Sequence, residues 1–190
     1  KARGYLPASE ATAAEVLSLA REGDTVTEIF QPSEIRVLLE ACPVHVLGFV
    51  AIGAFAGLRV AEICRLDWSA VDLERRIIML RADQAKTASR RIIPISENLV
   101  AWLRHLRREG PVAAECKTSV QVTALAKKLG IKWPHNALRH SFISYRIAEI
   151  KDAARVALEA GNSPEIIFKH YRELVTEAEA LEWFSIQPPE

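Results

Sequence analysis

The 190 residues, 49% hydrophobic and 26% charged, suffice for one globular domain or a domain with an appendage, and they exclude disordered and collagen-like chains. Cys42, Cys64 and Cys116 are odd in number, widely spaced and free of any C-x-x-C pair, which argues against a disulfide framework or a zinc site and fits a reducing, cytoplasmic setting. The net charge of +1 alone names no partner, and the longest apolar stretch, Val44 to Leu58, is too short and too interrupted for a membrane span.

In chain order, the sequence opens on Lys1 with no apolar signal-peptide core behind it, so its start reads as a domain boundary. Ala13, Val16, Leu17 and Ala20 have helical spacing, which predicts a helix over 8–22. Gly23-Asp24 stops it, and residues 1–28 read as an N-terminal helix and linker ahead of a main domain at 29–190. Gln31-Pro32-Ser33-Glu34 places Pro at a first helical position ahead of Ile35, Leu38 and Leu39, predicting a helix to about Cys42. Pro43 breaks it, an apolar helix runs from Val44 to Ala56, and Gly57 offers a positive-φ stop before Leu58 to Glu62 begin another helix.

The period then changes. Arg76 to Arg81 and Arg90 to Ile95 are β-rich runs around a polar stretch containing Lys86, which predicts a small antiparallel sheet with Pro94 on an edge strand. Ser96 is placed to cap a helix through Arg108 with Leu99, Leu103 and Leu106 inward. Further helices are expected at about 119–129, 137–149, 152–160, 164–170 and 174–184, with Gly130 and Gly161 as stops. The fold class is therefore mainly α with a small antiparallel β-sheet.

Charge is unevenly distributed: −3 over residues 1–58, +9 over 59–172 and −5 over 173–190. A basic middle block is an electrostatic footprint suited to a polyanion, and a positive face gathered around Arg59 and Arg139 is expected.

Three pieces stand out: Gly57-Leu58-Arg59-Val60-Ala61-Glu62 with Leu66-Asp67-Trp68, Ala137-Leu138-Arg139-His140-Ser141-Phe142, and Gly161-Asn162-Ser163-Pro164 followed by His170-Tyr171. With Lys86-Thr87 ahead of Arg91-Ile92-Ile93-Pro94-Ile95, this ordered set resembles the catalytic domain of the tyrosine recombinases, the phage-integrase family, over about residues 29–184. The resemblance implies a recombinase-type catalytic fold and site-specific recombination or integration of double-stranded DNA through a 3′-phosphotyrosyl link. It also implies homo-oligomers assembled on DNA, with no metal or nucleotide cofactor and without the separate N-terminal DNA-binding domain such proteins usually carry.

The same resemblance assigns Tyr171 as nucleophile, Arg59 and Arg139 as the paired arginines, and Lys86 as the hairpin lysine that protonates the leaving oxygen. Guanidiniums suit the first task because they are permanently charged and can hold phosphorane oxygens bidentately. A mobile ammonium suits the last. Two family positions differ: the usual histidine before the second arginine is Asn136, and the later histidine or tryptophan is Asn162. An amide can donate to a phosphate oxygen but cannot take a proton near neutral pH. His135, His140 and His170 lie nearby in sequence, yet none is an obvious replacement.

Simpler roles compete at several positions. Lys86 fits a solvated hairpin charge, Tyr171 a core aromatic, Glu62 a brace for Arg59 one turn earlier, and His45 a structural histidine in an apolar helix. Trp68, Trp102, Trp133 and Trp183 read as packing residues. Leu174, Ala178, Leu181 and Phe184 give the acidic tail an apolar face, which the resemblance implies docks on a neighbouring subunit. Two rival readings stay open: a degenerate relative that binds DNA with little or no cleavage, and a helical protein-interaction domain.

Overall fold

The computed structural model describes residues 27–81, 90–106, 109–113, 117–171 and 174–189. The helix expected over 8–22 lies outside them. Helix α1 (Pro32–Ala41) starts where expected, with Pro32 in the first turn and the Gln31 N–H donating to Glu34 Oε2 at 2.8 Å. Its Ile35, Leu38 and Leu39 face inward and are buried. Helix α2 (Val44–Ala56) is apolar on nearly all sides, so it can be stable only when surrounded, and it forms the centre of the domain, against α1, α3 (Val60–Ile63), α4 (Glu97–Arg104), α5 (Lys117–Lys128) and α6 (Ala137–Ile150). His45 sits at the exposed start of α2, so it is a surface residue and not the structural histidine expected there.

A 3-10 turn (Trp68–Ala70), capped by Asp67 Oδ1 accepting from the Ser69 N–H at 2.9 Å, leads into the sheet. The sheet has three antiparallel strands, β1 (Val71–Asp72), β2 (Ile77–Leu80) and β3 (Arg91–Pro94), in that order, with Ile78 opposite Ile93 and Leu80 opposite Arg91. Pro94 is on an edge strand, as expected. β1 has two residues, too few to give a period in sequence. α4 stops at Arg104, short of the expected Arg108, and the Ser96 Oγ donates to Asn98 Oδ1 at 2.6 Å.

Beyond α6 come α7 (Ala153–Ala160), α8 (Pro164–Tyr171) and α9 (Glu177–Phe184). α7 and α8 bury a smaller apolar cluster of Phe142, Ile143, Val156, Ala157, Ala160, Ile167 and Tyr171. Helix α9 packs on α6 and α1 of its own domain. Its inward residues are Ala180 and Trp183, while Leu174, Ala178 and Leu181 are exposed. Three of the four side chains of the tail's apolar face therefore point away from the domain, and the fourth, Phe184, packs edge-on to Phe142 at 6.4 Å. The cause is the helix start: Thr176 is the cap, Glu179 N–H donating to its Oγ1, so Leu174 precedes the helix and the bulk of Trp183 chooses the buried face. Among the described residues, no helix is long and apolar enough to cross a membrane.

Gly57 ends α2 at φ 65, and a Cβ built there would stand 2.1 Å from Phe142 Cδ1. Gly57→Ala therefore combines left-handed strain of about 1–2 kcal/mol with overpacking of about 1–3 kcal/mol. Urea unfolding of this variant should show a lower midpoint at unchanged slope; an unaltered midpoint would mean that α2 and α6 separate freely at this corner.

Candidate active site

The two helix-ending glycines also build the site. Gly57 at the end of α2 and Gly161 at the end of α7 both adopt positive φ, which turns their carbonyls out of the helices, where each accepts from an arginine. Arg139, in the first turn of α6, donates through Nη1 to Gly57 O at 2.7 Å. Arg59, the cap residue of α3, donates through Nη2 to Gly161 O at 2.8 Å. Both guanidiniums then meet on one atom, Asn162 Oδ1, at 3.1 Å from Arg59 Nη2 and 3.0 Å from Arg139 Nη2. Guanidiniums only donate, so the amide must present its oxygen to them, which turns its Nδ2 the other way.

Glu62 organises the same corner from beneath. Its carboxylate is 1% exposed; it accepts from the Arg59 N–H at 2.8 Å and Arg59 Nη1 at 3.0 Å, as expected of a brace, and also from Arg91 Nη1 at 2.9 Å and Nη2 at 2.7 Å. Arg91 thus joins β3 to α3 through a bidentate pair, and its guanidinium lies so close to Gly161 that a Cβ there would stand 2.8 Å from Nη1. Burial pushes the Glu62 carboxyl up, but the hydrogen bonds and charges of Arg91 and Arg59 outweigh it and hold the group below the usual carboxylate range. Burial, joined by the charge of Arg59, pulls Arg139 down to about 10, so it remains a cation at neutral pH.

Tyr171, at the last turn of α8, is buried among the small apolar cluster with its hydroxyl 2.6 Å from His140 Nδ1, the two rings stacked at 5.6 Å and 27°. Burial raises the phenol's pKa, while the charges of Arg139 and then Arg59 pull it down without overcoming that rise. His140 titrates below the ordinary imidazole range because of burial and, after it, the charges of Arg139, His135 and His170.

Of the sequence candidates, Arg59, Arg139, Asn162 and Tyr171 are brought to one corner of the fold. Asn136 is not drawn into it: it is exposed at φ 55 as the residue before α6, and His135 beside it is exposed too. Lys86 lies outside the described residues. Two residues near the corner escaped the sequence argument. His140, set aside there as a replacement, contacts the Tyr171 hydroxyl because adjacent residues on α6 point about 100° apart: Arg139 reaches the end of α2 while His140 reaches α8. Arg91 had a legible signal, since the two-residue period of β3 puts it on the same face as buried Ile93 and Ile95, where a charge demands a partner.

Comparison with known proteins bears on the family and the fold. The tyrosine recombinase XerC of Xanthomonas axonopodis pv. citri (strain 306) is 24% identical over 180 residues, covering 85% of this chain and 58% of that protein. XerC of Xylella fastidiosa (strain 9a5c) is 28% identical over 115 residues, 51% of this chain and 37% of the relative, so the chain spans little more than half the length of these proteins at most. Among solved structures, XerA recombinase superposes with a TM-score of 0.64 at 22% identity, covering 87% of this chain and 67% of that one. The integrase of mycobacterium phage Brujita superposes at 0.63 and 17% identity, covering 90% and 62%. The integrase of transposon Tn1549, solved in complex with transposon right end DNA, superposes at 0.59 and 17% identity, covering 87% and 68%. These structures share the fold, a mainly helical domain with a small antiparallel sheet, and the sequence model of the phage integrase family matches residues 24–157. The chain belongs to the phage integrase family.

Proposed function

We propose that this domain cleaves and rejoins double-stranded DNA in site-specific recombination, with Tyr171 as the nucleophile and a 3′-phosphotyrosyl intermediate. The observation that carries the reading is the convergence of Arg59 and Arg139 on one acceptor oxygen, with the charges of both arginines acting on the Tyr171 phenol. An oxygen that can receive two guanidiniums marks where a phosphate oxygen is stabilised as negative charge grows in a pentacovalent transition state. Asn162 holds the pair apart at that spacing, and its Nδ2 is the donor left for a phosphate oxygen. Lys86 would protonate the leaving 5′-oxygen. Asn136, exposed before α6, would serve as a further amide donor that closes on DNA. Each chain offers one Tyr171, and exchange between two duplexes needs several cleavages, so the active form is an assembly of copies on DNA. The Tn1549 integrase, solved on its transposon DNA, makes duplex DNA the natural substrate class here as well.

The test is capture on a nicked suicide duplex, whose cleaved end diffuses away and leaves protein attached. The native chain should become covalently linked to the 3′ phosphate, and Tyr171→Phe, which removes one hydroxyl, should fold and bind the duplex with no linkage at all. Attachment retained by Tyr171→Phe would remove Tyr171 from the role. Binding whose affinity does not fall with added salt would remove DNA as the partner, since phosphate contacts release counterions.

A further inference from the structure

We propose that His140 is a catalytic residue, the general base that takes the Tyr171 proton as the phenol attacks DNA. The inference rests on the proposed cleavage reaction and names a group in it that the sequence argument had set aside. Its ground is contact: His140 Nδ1 lies 2.6 Å from the Tyr171 hydroxyl oxygen, well within the reach required of a base, and the two rings lie against each other with centroids 5.6 Å apart.

The direction of that hydrogen bond follows from the surroundings. Burial raises the Tyr171 pKa, so the phenol keeps its proton in the free protein and is the donor. Burial and then the positive charges of Arg139 on α6, His135 before it and His170 on α8 lower the pKa of His140, so its ring is neutral and Nδ1 is the acceptor. The proton of the imidazole must then sit on Nε2. Neither amide among the candidate positions, Asn136 or Asn162, can take a proton near neutral pH, whereas this ring can. It is half-buried, so the proton it accepts can pass to solvent.

In the step itself, the Tyr171 Oη–H bond breaks and its proton goes to Nδ1, the Oη–phosphorus bond forms, and the bond from phosphorus to the 5′-oxygen breaks. That oxygen takes a proton from Lys86 or from water. Rejoining runs the same transfers backwards, the imidazolium returning its proton to the departing tyrosyl oxygen. The arginines and His140 therefore divide the work: Arg59 and Arg139 meet the charge on phosphate oxygens, and His140 frees the attacking one.

Single-turnover cleavage of the nicked duplex by the full chain tests this with His140→Ala and His140→Gln, each first shown to melt cooperatively and to hold the duplex with native affinity. At pH 7 both should lose about 100-fold or more in the rate of covalent attachment, the usual scale of general-base catalysis. The loss should shrink as the pH approaches the phenol's ordinary value of about 10, where hydroxide does the same task. Added imidazole should restore attachment to His140→Ala, and more basic substituted imidazoles should restore it better. Native-like rates in both variants, or a loss equal at every pH and untouched by imidazole, would overturn the assignment and leave the cleavage reading standing. A native chain that binds the duplex but never attaches would overturn both together. Nitrogen-15 shifts of the His140 ring give a readout free of activity: a neutral Nε2–H tautomer supports the assignment, and an Nδ1–H tautomer overturns it.

Discussion

Truncation after Arg172 should abolish the cooperative unfolding of the whole domain. Trp183 is fully buried, stacked on Tyr145 at 4.3 Å and 13°, set edge-on to Phe55 at 5.9 Å, and bonded through Nε1 to Ala54 O at 3.2 Å. It therefore fills the junction of α2 and α6, the two helices on which the other α-helices pack. Replacing a core tryptophan by alanine costs about 3–5 kcal/mol, a large share of a total stability of about 5–15 kcal/mol. Removing the whole tail adds the loss of Ala180 and Ile186, both fully buried. It also strands two buried donors, Trp102 Nε1, which reaches Ile186 O at 3.0 Å, and Asn98 Nδ2, which reaches Trp183 O at 3.4 Å. Each orphaned group costs about 1–3 kcal/mol more.

Circular dichroism melts decide the matter, and graded variants show why. Trp183→Ala should lower the urea midpoint severely, whereas Leu181→Ala, at a side chain 61% exposed, should stay within about 0.5 kcal/mol of the native protein. A truncated chain that still melts in one sharp transition would make α9 a detachable arm, the behaviour expected of a segment held mainly by a neighbouring subunit.

What could be read in advance follows the physics of local signals. Pro43, Gly57, Gly130 and Gly161 punctuate the sequence, so most helices were legible to within a few residues: each stop acts on the chain beside it. The inward face of the tail, Ala180 and Trp183, was not legible because α9 has only eight residues, over which a period of 3.6 fits more than one face. The site shows the same division. Arg59, Arg139 and Tyr171 are carried by short contiguous motifs, whereas the His140 to Tyr171 and Arg91 to Glu62 contacts span 31 and 29 residues and exist only after α6 meets α8 and the sheet meets α3. Asn136 is the opposite case, since its position in a motif was clear and its exposed, left-handed backbone was not.

Arg91→Met should destabilise the domain by about 3–5 kcal/mol at neutral pH, the cost of leaving one member of a buried ion pair alone. Arg91 is 9% exposed and Glu62 1%, so water cannot take over the broken bonds, and Arg59 alone must face the whole carboxylate. The sign of the pH dependence identifies the cause. In the native protein the folded-state pKa of Glu62 is depressed, so its contribution is fully present above the unfolded value of about 4.3 and is lost as pH falls through the lower folded value. Without Arg91, burial outweighs the single remaining cation, the carboxyl takes up a proton on folding, and the variant loses stability as pH rises through about 4.3. The gap between native and variant should therefore be widest near pH 7 and narrow near pH 4, as read from urea midpoints at the two values. Glu62→Gln combined with Arg91→Met removes the stranded charge and should recover much of the loss, which a mere cavity at Arg91 would not allow. Arg91→Lys should recover less than the double variant, because an ammonium cannot supply the two parallel bonds to Oε1 and Oε2. In each of these variants covalent capture should weaken along with stability, since Glu62 fixes the guanidinium of Arg59 that is proposed to meet the phosphate.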